Sequence, residues 1–120
     1  MGTLKDLDVY KLAYQSALSI NELTESFPGF EKFSLTDQLR RSTRSVVANI
    51  AEAYRKRSYP KHFKSKLSDA DSELCETLMW LDFAKDFGYL PIEHHAQLCS
   101  AYERIGAMIG KMIRNPHKFQ

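Results

Sequence analysis

Apolar side chains recur every three or four residues along most of this chain, which is the spacing of amphipathic helices. Prolines, glycines and polar residues interrupt the pattern near residues 27–34, 58–60 and 88–91. The spacing therefore predicts four helices, over about residues 8–26, 35–57, 60–87 and 91–114, and no strand pattern competes with them. Helices joined by such short connections favour an all-α fold, a single antiparallel up-down-up-down four-helix bundle over residues 1–120.

The second predicted helix has two distinct faces. We expect Ser34 to cap its start, with Asp37 three residues on as a short-armed version of the capping box. At about 100° per residue, apolar residues collect on one side of this helix and arginines on another. The apolar side consists of Leu35, Leu39, Val46, Ile50 and Ala53, and the arginine side of Arg40, Arg41, Arg44 and Arg55. The arginine side indicates either an anionic partner or a solvated charged surface.

Charge is segregated along the chain, although the net charge is only +2. Residues 40–66 contain nine basic side chains and one acidic side chain, a net charge of +8, and the segments on both sides of this block are acidic. Such a block is typical of a localised anion-binding patch or of charge complementarity between subunits, and composition does not separate the two.

Aromatic residues lie among the cations where the second predicted helix ends and the third begins. Cations bind phosphates and aromatic rings stack on unpaired bases, so this combination favours nucleic acid as the partner, as single strands or structured RNA. Phe63 is better explained as the hydrophobic clamp of the corner between the helices, and Tyr54 fits either role. The candidate nucleic-acid-binding residues are Arg40, Arg41, Arg44, Arg55, Lys56, Arg57, Lys61 and Lys64.

Several apolar residues fall outside the core faces of the predicted helices. Single exposed apolar residues are ordinary, but this many form a larger patch than soluble monomers normally expose. We therefore expect the protein to self-associate. The residues are Tyr10, Leu12, Leu18, Val47, Tyr54, Met79, Trp80 and Phe83.

Catalytic, metal-binding and cofactor-binding motifs are absent from the sequence. No glutamate is followed by histidine at the spacing of di-iron bundles, and the adjacent His94 and His95 are expected to be surface residues. Cys75 and Cys99 lack CxxC spacing, so we expect two buried thiols and neither a metal site nor a disulfide.

Three carboxylates, Asp69, Glu73 and Glu76, share one face of the third predicted helix. Crowded carboxylates favour acid–base chemistry. Pairing with the basic block, on the same or a neighbouring chain, explains them better. No enzymatic activity is expected.

No apolar segment approaches the roughly 20 residues that span a bilayer, and the N-terminal segment lacks an apolar targeting core. These features predict a cytoplasmic protein without a membrane partner.

Four segments carry a resemblance to a known family. They are DLDVYKLA at residues 6–13, FPGFEKFSLTDQLRRSTRSVVANIAEAYRK at 27–56, GYL at 88–90 and YERIGAMIGKMI at 102–113. Through them the chain resembles the four-helix bundle proteins encoded in intervening sequences of bacterial 23S ribosomal RNA genes. That family is related to the accessory variability proteins of diversity-generating retroelements. The chain departs from the family pattern at Ala53, where glycine is usual, and in the third helix at Ser72-Glu73 and Leu78-Met79.

The resemblance implies a homo-oligomer, typically a pentameric ring of bundles, without catalytic activity. It also implies that Asn49 and Glu52 hydrogen-bond across helices or subunits. In the retroelement relatives the ring binds a reverse transcriptase and nucleic acid through basic surface. Two functions thus stay open: nucleic-acid binding through the basic block, or a protein-interaction scaffold whose arginines contact subunits or a partner such as a reverse transcriptase.

Overall fold

The computed structural model describes residues 2–119, which form four α-helices and three short 3₁₀ turns, without a β-strand in that range. The helices are α1 (Asp8–Thr24), α2 (Leu35–Arg55), α3 (Pro60–Asp86) and α4 (Ile92–Arg114). The 3₁₀ turns span Leu4–Asp6, Gly29–Glu31 and Pro116–Phe119. The predicted helix boundaries lie within two residues of these, which confirms the all-helical class. None of the helices in the described range combines the length and the apolar character needed to cross a bilayer.

The four helices pack around one shared core. Both α1 and α3 pack against α2 and α4, and the contact between α2 and α3 is the most extensive. The predicted apolar side of α2 is buried in full. The largest fully buried side chains are Tyr102, Phe63, Ile20, Leu39, Ile50, Leu67, Leu81, Ile105 and Ile109.

A pair of polar residues is buried between α2 and α3. Ser42 and Thr77 are both fully buried, and the Thr77 hydroxyl lies 2.9 Å from the Ser42 hydroxyl and 2.9 Å from the Glu73 carbonyl oxygen. Short side chains at these positions let the two helices approach closely, while their hydroxyls satisfy each other away from water. The apolar spacing alone does not predict this pair.

Glu31, and not Ser34, caps α2. Ser34 occupies the residue before the helix, but its hydroxyl donates to the Glu31 carboxylate at 2.6 Å and accepts no helix N–H, so the prediction for its side chain is wrong. The Glu31 carboxylate accepts the Leu35 N–H at 3.3 Å and the Tyr89 hydroxyl at 2.9 Å. These bonds, above all the one from Ser34, lower the pKa of Glu31. One carboxylate thereby links the segment before α2 to the segment between α3 and α4.

Gly88, which follows the end of α3, adopts the left-handed conformation, with φ of 80°. The Tyr89 N–H then bonds the Ala84 carbonyl, and the Gly88 N–H bonds the Lys85 carbonyl, each at 2.9 Å. This closing pattern needs a positive φ, which glycine adopts without steric cost.

The prediction of two buried thiols is wrong for Cys75. The core side of α3 runs through Leu74, Thr77 and Leu81, and a residue one position after Leu74 points about 100° away, so Cys75 is exposed. Cys99 is half-buried on α4.

Candidate nucleic-acid interface

The corner between α2 and α3 is a tight turn on a buried anchor. After Arg55 the chain turns through residues 56–59, where the Tyr59 N–H bonds the Lys56 carbonyl at 2.8 Å, and Pro60 begins α3. Pro60 is tolerated there because the N–H groups in the first turn of a helix have no carbonyl acceptor within the helix, so the missing N–H of proline costs no hydrogen bond. Phe63, one turn into α3, is fully buried and stacks on Phe119 with ring centroids 6.0 Å apart. The interpretation of Phe63 as the clamp of this corner is confirmed.

Five of the predicted cations surround this corner. No acidic residue occurs from residue 53 to residue 68, and within residues 2–119 none of the five forms an ion pair. Four are exposed, and Arg57 is half-buried. Their charges are therefore compensated by solvent ions, and releasing such ions favours binding to a polyanion. The five, called the basic corner below, are Arg55, Lys56, Arg57, Lys61 and Lys64.

Aromatic rings lie directly among these cations. Tyr59 is 59% exposed, and the Lys56 ammonium lies 5.8 Å from the centre of its ring. The Arg57 guanidinium lies 4.1 Å from the centre of the Tyr54 ring and donates to the Tyr54 carbonyl at 2.8 Å. Tyr54 is thus occupied within the chain, whereas much of Tyr59 is open to a stacking base.

Arg40 and Arg44 face α1. The Arg40 guanidinium donates to the hydroxyl of the buried Thr24 at 2.9 Å, and the Arg44 guanidinium donates to the Asn21 side-chain oxygen at 3.2 Å. These two arginines therefore help to join α2 to α1.

Arg41 faces the opposite neighbour, α3. Its guanidinium lies 2.6 Å from a Glu76 carboxylate oxygen and 3.5 Å from one of Glu73. The hydrogen bond between Arg41 and Glu76 raises the pKa of the arginine and lowers the pKa of the glutamate. The acidic face of α3 thus pairs with the basic block of the same chain, which is one of the two predicted arrangements; the other was pairing with a neighbouring chain. Asp69, the third member of that face, is exposed.

Of the two polar residues implied by the resemblance, Glu52 is exposed on α2 and Asn49 is half-buried there. The Glu52 carboxylate lies 3.6 Å from the Lys66 ammonium of α3. The Asn49 amide donates to the Ser45 carbonyl at 2.9 Å, within its own helix. Glu52 thus pairs with a neighbouring helix, whereas the Asn49 side chain hydrogen-bonds only to Ser45 of α2 within residues 2–119.

The structure also brings together Asp82, His95 and Cys99, three residues that are not grouped in the sequence analysis. The His95 imidazole lies 2.8 Å from the Asp82 carboxylate and 3.4 Å from the Cys99 sulfur. The His95 side chain is only 15% exposed, so the prediction of a surface histidine holds for His94 alone. The four-residue spacing of His95 and Cys99, which puts both on one side of a helix, was the available signal.

Comparison with known proteins identifies the family to which the chain is similar. The model of the 23S rRNA-intervening sequence protein family matches residues 5–111. The chain also resembles the crystal structure of a protein with unknown function, from the S23 ribosomal protein family, from Bacteroides thetaiotaomicron VPI-5482. The TM-score is 0.82 at 28% sequence identity, over 92% of this chain and 98% of that chain. No curated protein matches the chain.

Proposed function

The chain belongs to the 23S rRNA-intervening sequence protein family, and from this premise we propose that it is a non-enzymatic protein that binds nucleic acid, RNA or DNA. The observation that carries the proposal is the basic corner. Its five cations lack acidic partners within residues 2–119, and an exposed tyrosine lies among them.

Binding at the basic corner divides between phosphates and bases. Lys56, Lys61 and Lys64 are exposed and flexible, and they contact phosphates as point charges. Tyr59 offers a ring on which an unpaired base stacks, so single strands and loops bind better than a continuous duplex. Arg40, Arg41 and Arg44 already hydrogen-bond to α1 or α3, and they add positive potential beside the site while holding the helices together.

The proposal includes an antiparallel up-down-up-down bundle. Two contacts between α2 and α3 support it: Arg41 meets Glu76, whereas Glu52, further along α2, meets Lys66, earlier in α3. Residue numbers rise along one helix as they fall along the other.

The bundle is further proposed to form a homo-oligomeric ring, pentameric as the resemblance implies. A ring closes through head-to-tail contacts, which require two different surfaces on each subunit. Two separate exposed apolar surfaces support this: Tyr14 and Leu18 on α1, and Met79 and Phe83 on α3 together with Phe87 just after its end. The rings of Trp80, Phe83 and Phe87 follow one another with centroids 5.7–5.8 Å apart.

The test of nucleic-acid binding is a fluorescence-anisotropy titration with labelled single-stranded, hairpin and duplex RNA at several salt concentrations. The triple variant Lys56→Glu, Lys61→Glu and Lys64→Glu reverses three exposed, unpaired charges of the basic corner. We expect it to lose most of the affinity and to reduce the slope of log affinity against log salt by roughly 2–3.

A matched control reverses three positive charges on another part of the surface. Lys11, Arg104 and Lys111 are exposed on α1 and α4, and their reversal to glutamate changes the net charge equally. Equal losses in both triple variants, or no loss in the corner variant, would overturn the proposed site. Circular dichroism of each variant checks that it is folded.

The scaffold alternative predicts a different result from the same variants. If the corner cations contact neighbouring subunits, the corner variant falls apart into smaller species, which light scattering coupled to size-exclusion chromatography measures as a lower mass. A ring that keeps its mass while it loses RNA excludes that alternative. The relation to retroelement accessory proteins, with a reverse transcriptase as partner, stays a prediction, and copurification with such an enzyme tests it.

A further inference from the structure

Three side chains of metal-ligating type converge where α3 and α4 come together. Asp82 lies near the end of α3, and His95 and Cys99 lie in the first two turns of α4. One carboxylate oxygen, one imidazole nitrogen and the thiol sulfur all lie within 4.8 Å of one another. His95 Nε2 lies 2.8 Å from the Asp82 carboxylate oxygen and 3.4 Å from the Cys99 sulfur.

The spacing matches the requirements of a tetrahedral ion. With metal–oxygen and metal–nitrogen distances near 2.0–2.1 Å and a metal–sulfur distance near 2.3 Å, tetrahedral ligand atoms lie about 3.3–3.6 Å from one another. A small side-chain rotation of Asp82, which is 62% exposed, brings its oxygen into that range. His95 and Cys99 are held on one side of α4 by their four-residue spacing.

A Cys-His-Asp catalytic relay is the competing explanation, and the geometry disfavours it. In such a relay the nucleophile and the acid contact opposite nitrogens of the imidazole. Here the Asp82 oxygen and the Cys99 sulfur both lie closest to Nε2, with the sulfur 3.9 Å from Nδ1.

We propose that Asp82, His95 and Cys99 bind a divalent transition-metal ion, Zn²⁺ foremost, with water in the fourth position. The mixed donors select the ion, because nitrogen and sulfur suit Zn²⁺ while Mg²⁺ and Ca²⁺ prefer oxygen alone. On binding, the Cys99 thiol releases its proton to solvent. The charged neighbours of the thiol are Asp82, Glu103 and Lys85, and Lys85 lies 3.7 Å from Asp86.

The bound ion would join the end of α3 to the start of α4 across the turn at Gly88. This role is independent of nucleic-acid binding at the basic corner. Because the ion binds the folded chain through three ligands from two helices, it stabilises the folded state by an amount that grows with the logarithm of its free concentration above the dissociation constant.

Cobalt substitution tests the site on the 120-residue chain after treatment with a chelator. We expect one Co²⁺ per chain to produce the near-ultraviolet band of a thiolate–cobalt bond and the visible bands of a four-coordinate ion, and Zn²⁺ to displace both. Cys99→Ser abolishes the thiolate band, and His95→Ala and Asp82→Asn each weaken binding by more than about tenfold.

The chain contains its own controls. Cys75→Ser removes the other cysteine and His94→Ala the adjacent histidine, and both variants should keep the bands. Zn²⁺ should also raise the melting temperature of the wild type and of Cys75→Ser, but not that of Cys99→Ser. Absence of the thiolate band in the wild type, or its loss with Cys75 in place of Cys99, would refute the site. If Cys99→Ser does not fold, Asp82→Asn at its exposed position provides the same comparison.

Discussion

The Arg41 guanidinium donates to the Glu76 carboxylate at 2.6 Å, across the contact between α2 and α3. The same Glu76 oxygen accepts the Trp80 indole N–H at 3.2 Å. Arg41, which the sequence pattern predicts as a phosphate-binding residue, therefore forms an ion pair with the acidic face of α3 in its own chain. Reversing its charge would disturb helix packing together with any ligand site, so the lysines of the basic corner are the cleaner test of binding.

Replacing Glu76 with glutamine should destabilise the protein in a pH-dependent way. The native pKa of Glu76 lies below its ordinary value of 4.5, because Arg41 favours the charged form. The stabilisation is thus fully present above pH 4.5, the value of the unfolded chain, and is lost as the pH falls through the lower native pKa. Since the Arg41 side chain is 46% exposed, we expect a loss of less than about 1 kcal/mol at neutral pH.

Urea unfolding of the wild type and Glu76→Gln, at neutral pH and at a series of values below 4.5, measures this difference. Asp69→Asn is the control, because Asp69 is exposed on the same helix and forms no ion pair within residues 2–119. A stability difference that does not shrink in acid would contradict the assigned role of the ion pair.

The buried hydroxyls of Ser42 and Thr77 should be energetically coupled. Thr77→Val keeps the shape of the side chain but removes a hydroxyl that is fully buried, so we expect a loss of about 1–3 kcal/mol. Ser42→Ala and Thr77→Val together should cost less than the sum of the two, by about 0.5 kcal/mol or more. Urea unfolding of both single variants and the double variant measures the coupling.

Thr43 supplies the control for this cycle. Its hydroxyl is also buried but, among residues 2–119, bonds only the Arg40 carbonyl of its own helix, so Thr43→Val and Thr77→Val should be additive. Additivity of Ser42→Ala and Thr77→Val as well would mean that the contact between the two hydroxyls contributes nothing.

Substitutions at Phe63 and Tyr59 should have different effects: the first should reduce the stability of the fold, and the second should reduce RNA affinity at the basic corner. Phe63 is fully buried, so Phe63→Ala should cost about 3–5 kcal/mol in the free energy of unfolding. Tyr59 is 59% exposed, so Tyr59→Ala should change stability by less than about 0.5 kcal/mol. It should nevertheless weaken single-stranded RNA binding by about 1–3 kcal/mol, the usual value for one stacked base.

Denaturant unfolding and RNA anisotropy on the same preparations measure both quantities. Tyr59→Phe retains the ring and should keep most of the affinity. An unchanged affinity in Tyr59→Ala would remove base stacking from the proposed interface and leave only its phosphate contacts.

Glu31 should matter more than Ser34 for the start of α2. The Glu31 carboxylate accepts hydrogen bonds from Ser34, Leu35 and Tyr89, whereas the Ser34 hydroxyl caps no helix N–H. We therefore expect Glu31→Ala to lower the melting temperature more than Ser34→Ala does. Thermal unfolding at neutral pH ranks the two, with the exposed Glu25→Ala as the control. The reverse order would restore Ser34 as the cap.

The basic corner could be predicted from the sequence, whereas the contacts of Arg40, Arg41 and Arg44 could not. The basic corner is local in sequence, so its cations, its aromatic residues and its lack of acids between residues 53 and 68 are visible directly. Arg40, Arg41 and Arg44 occupy one broad side of a helical wheel, yet in the structure they contact different helices. A wheel gives the direction of a side chain about its own axis but not the position of the neighbouring helices.

The sequence by itself determined the four helices, their ends at Pro60 and Gly88, and the buried side of α2, because periodicity and backbone restrictions act over a few neighbouring residues. Only the tertiary structure decided which distant groups meet. The pairs Arg41–Glu76, Ser42–Thr77 and Asp82–His95 depend on the axial offset and rotation of one helix against the next. That placement follows from packing the whole core, and no local spacing encodes it.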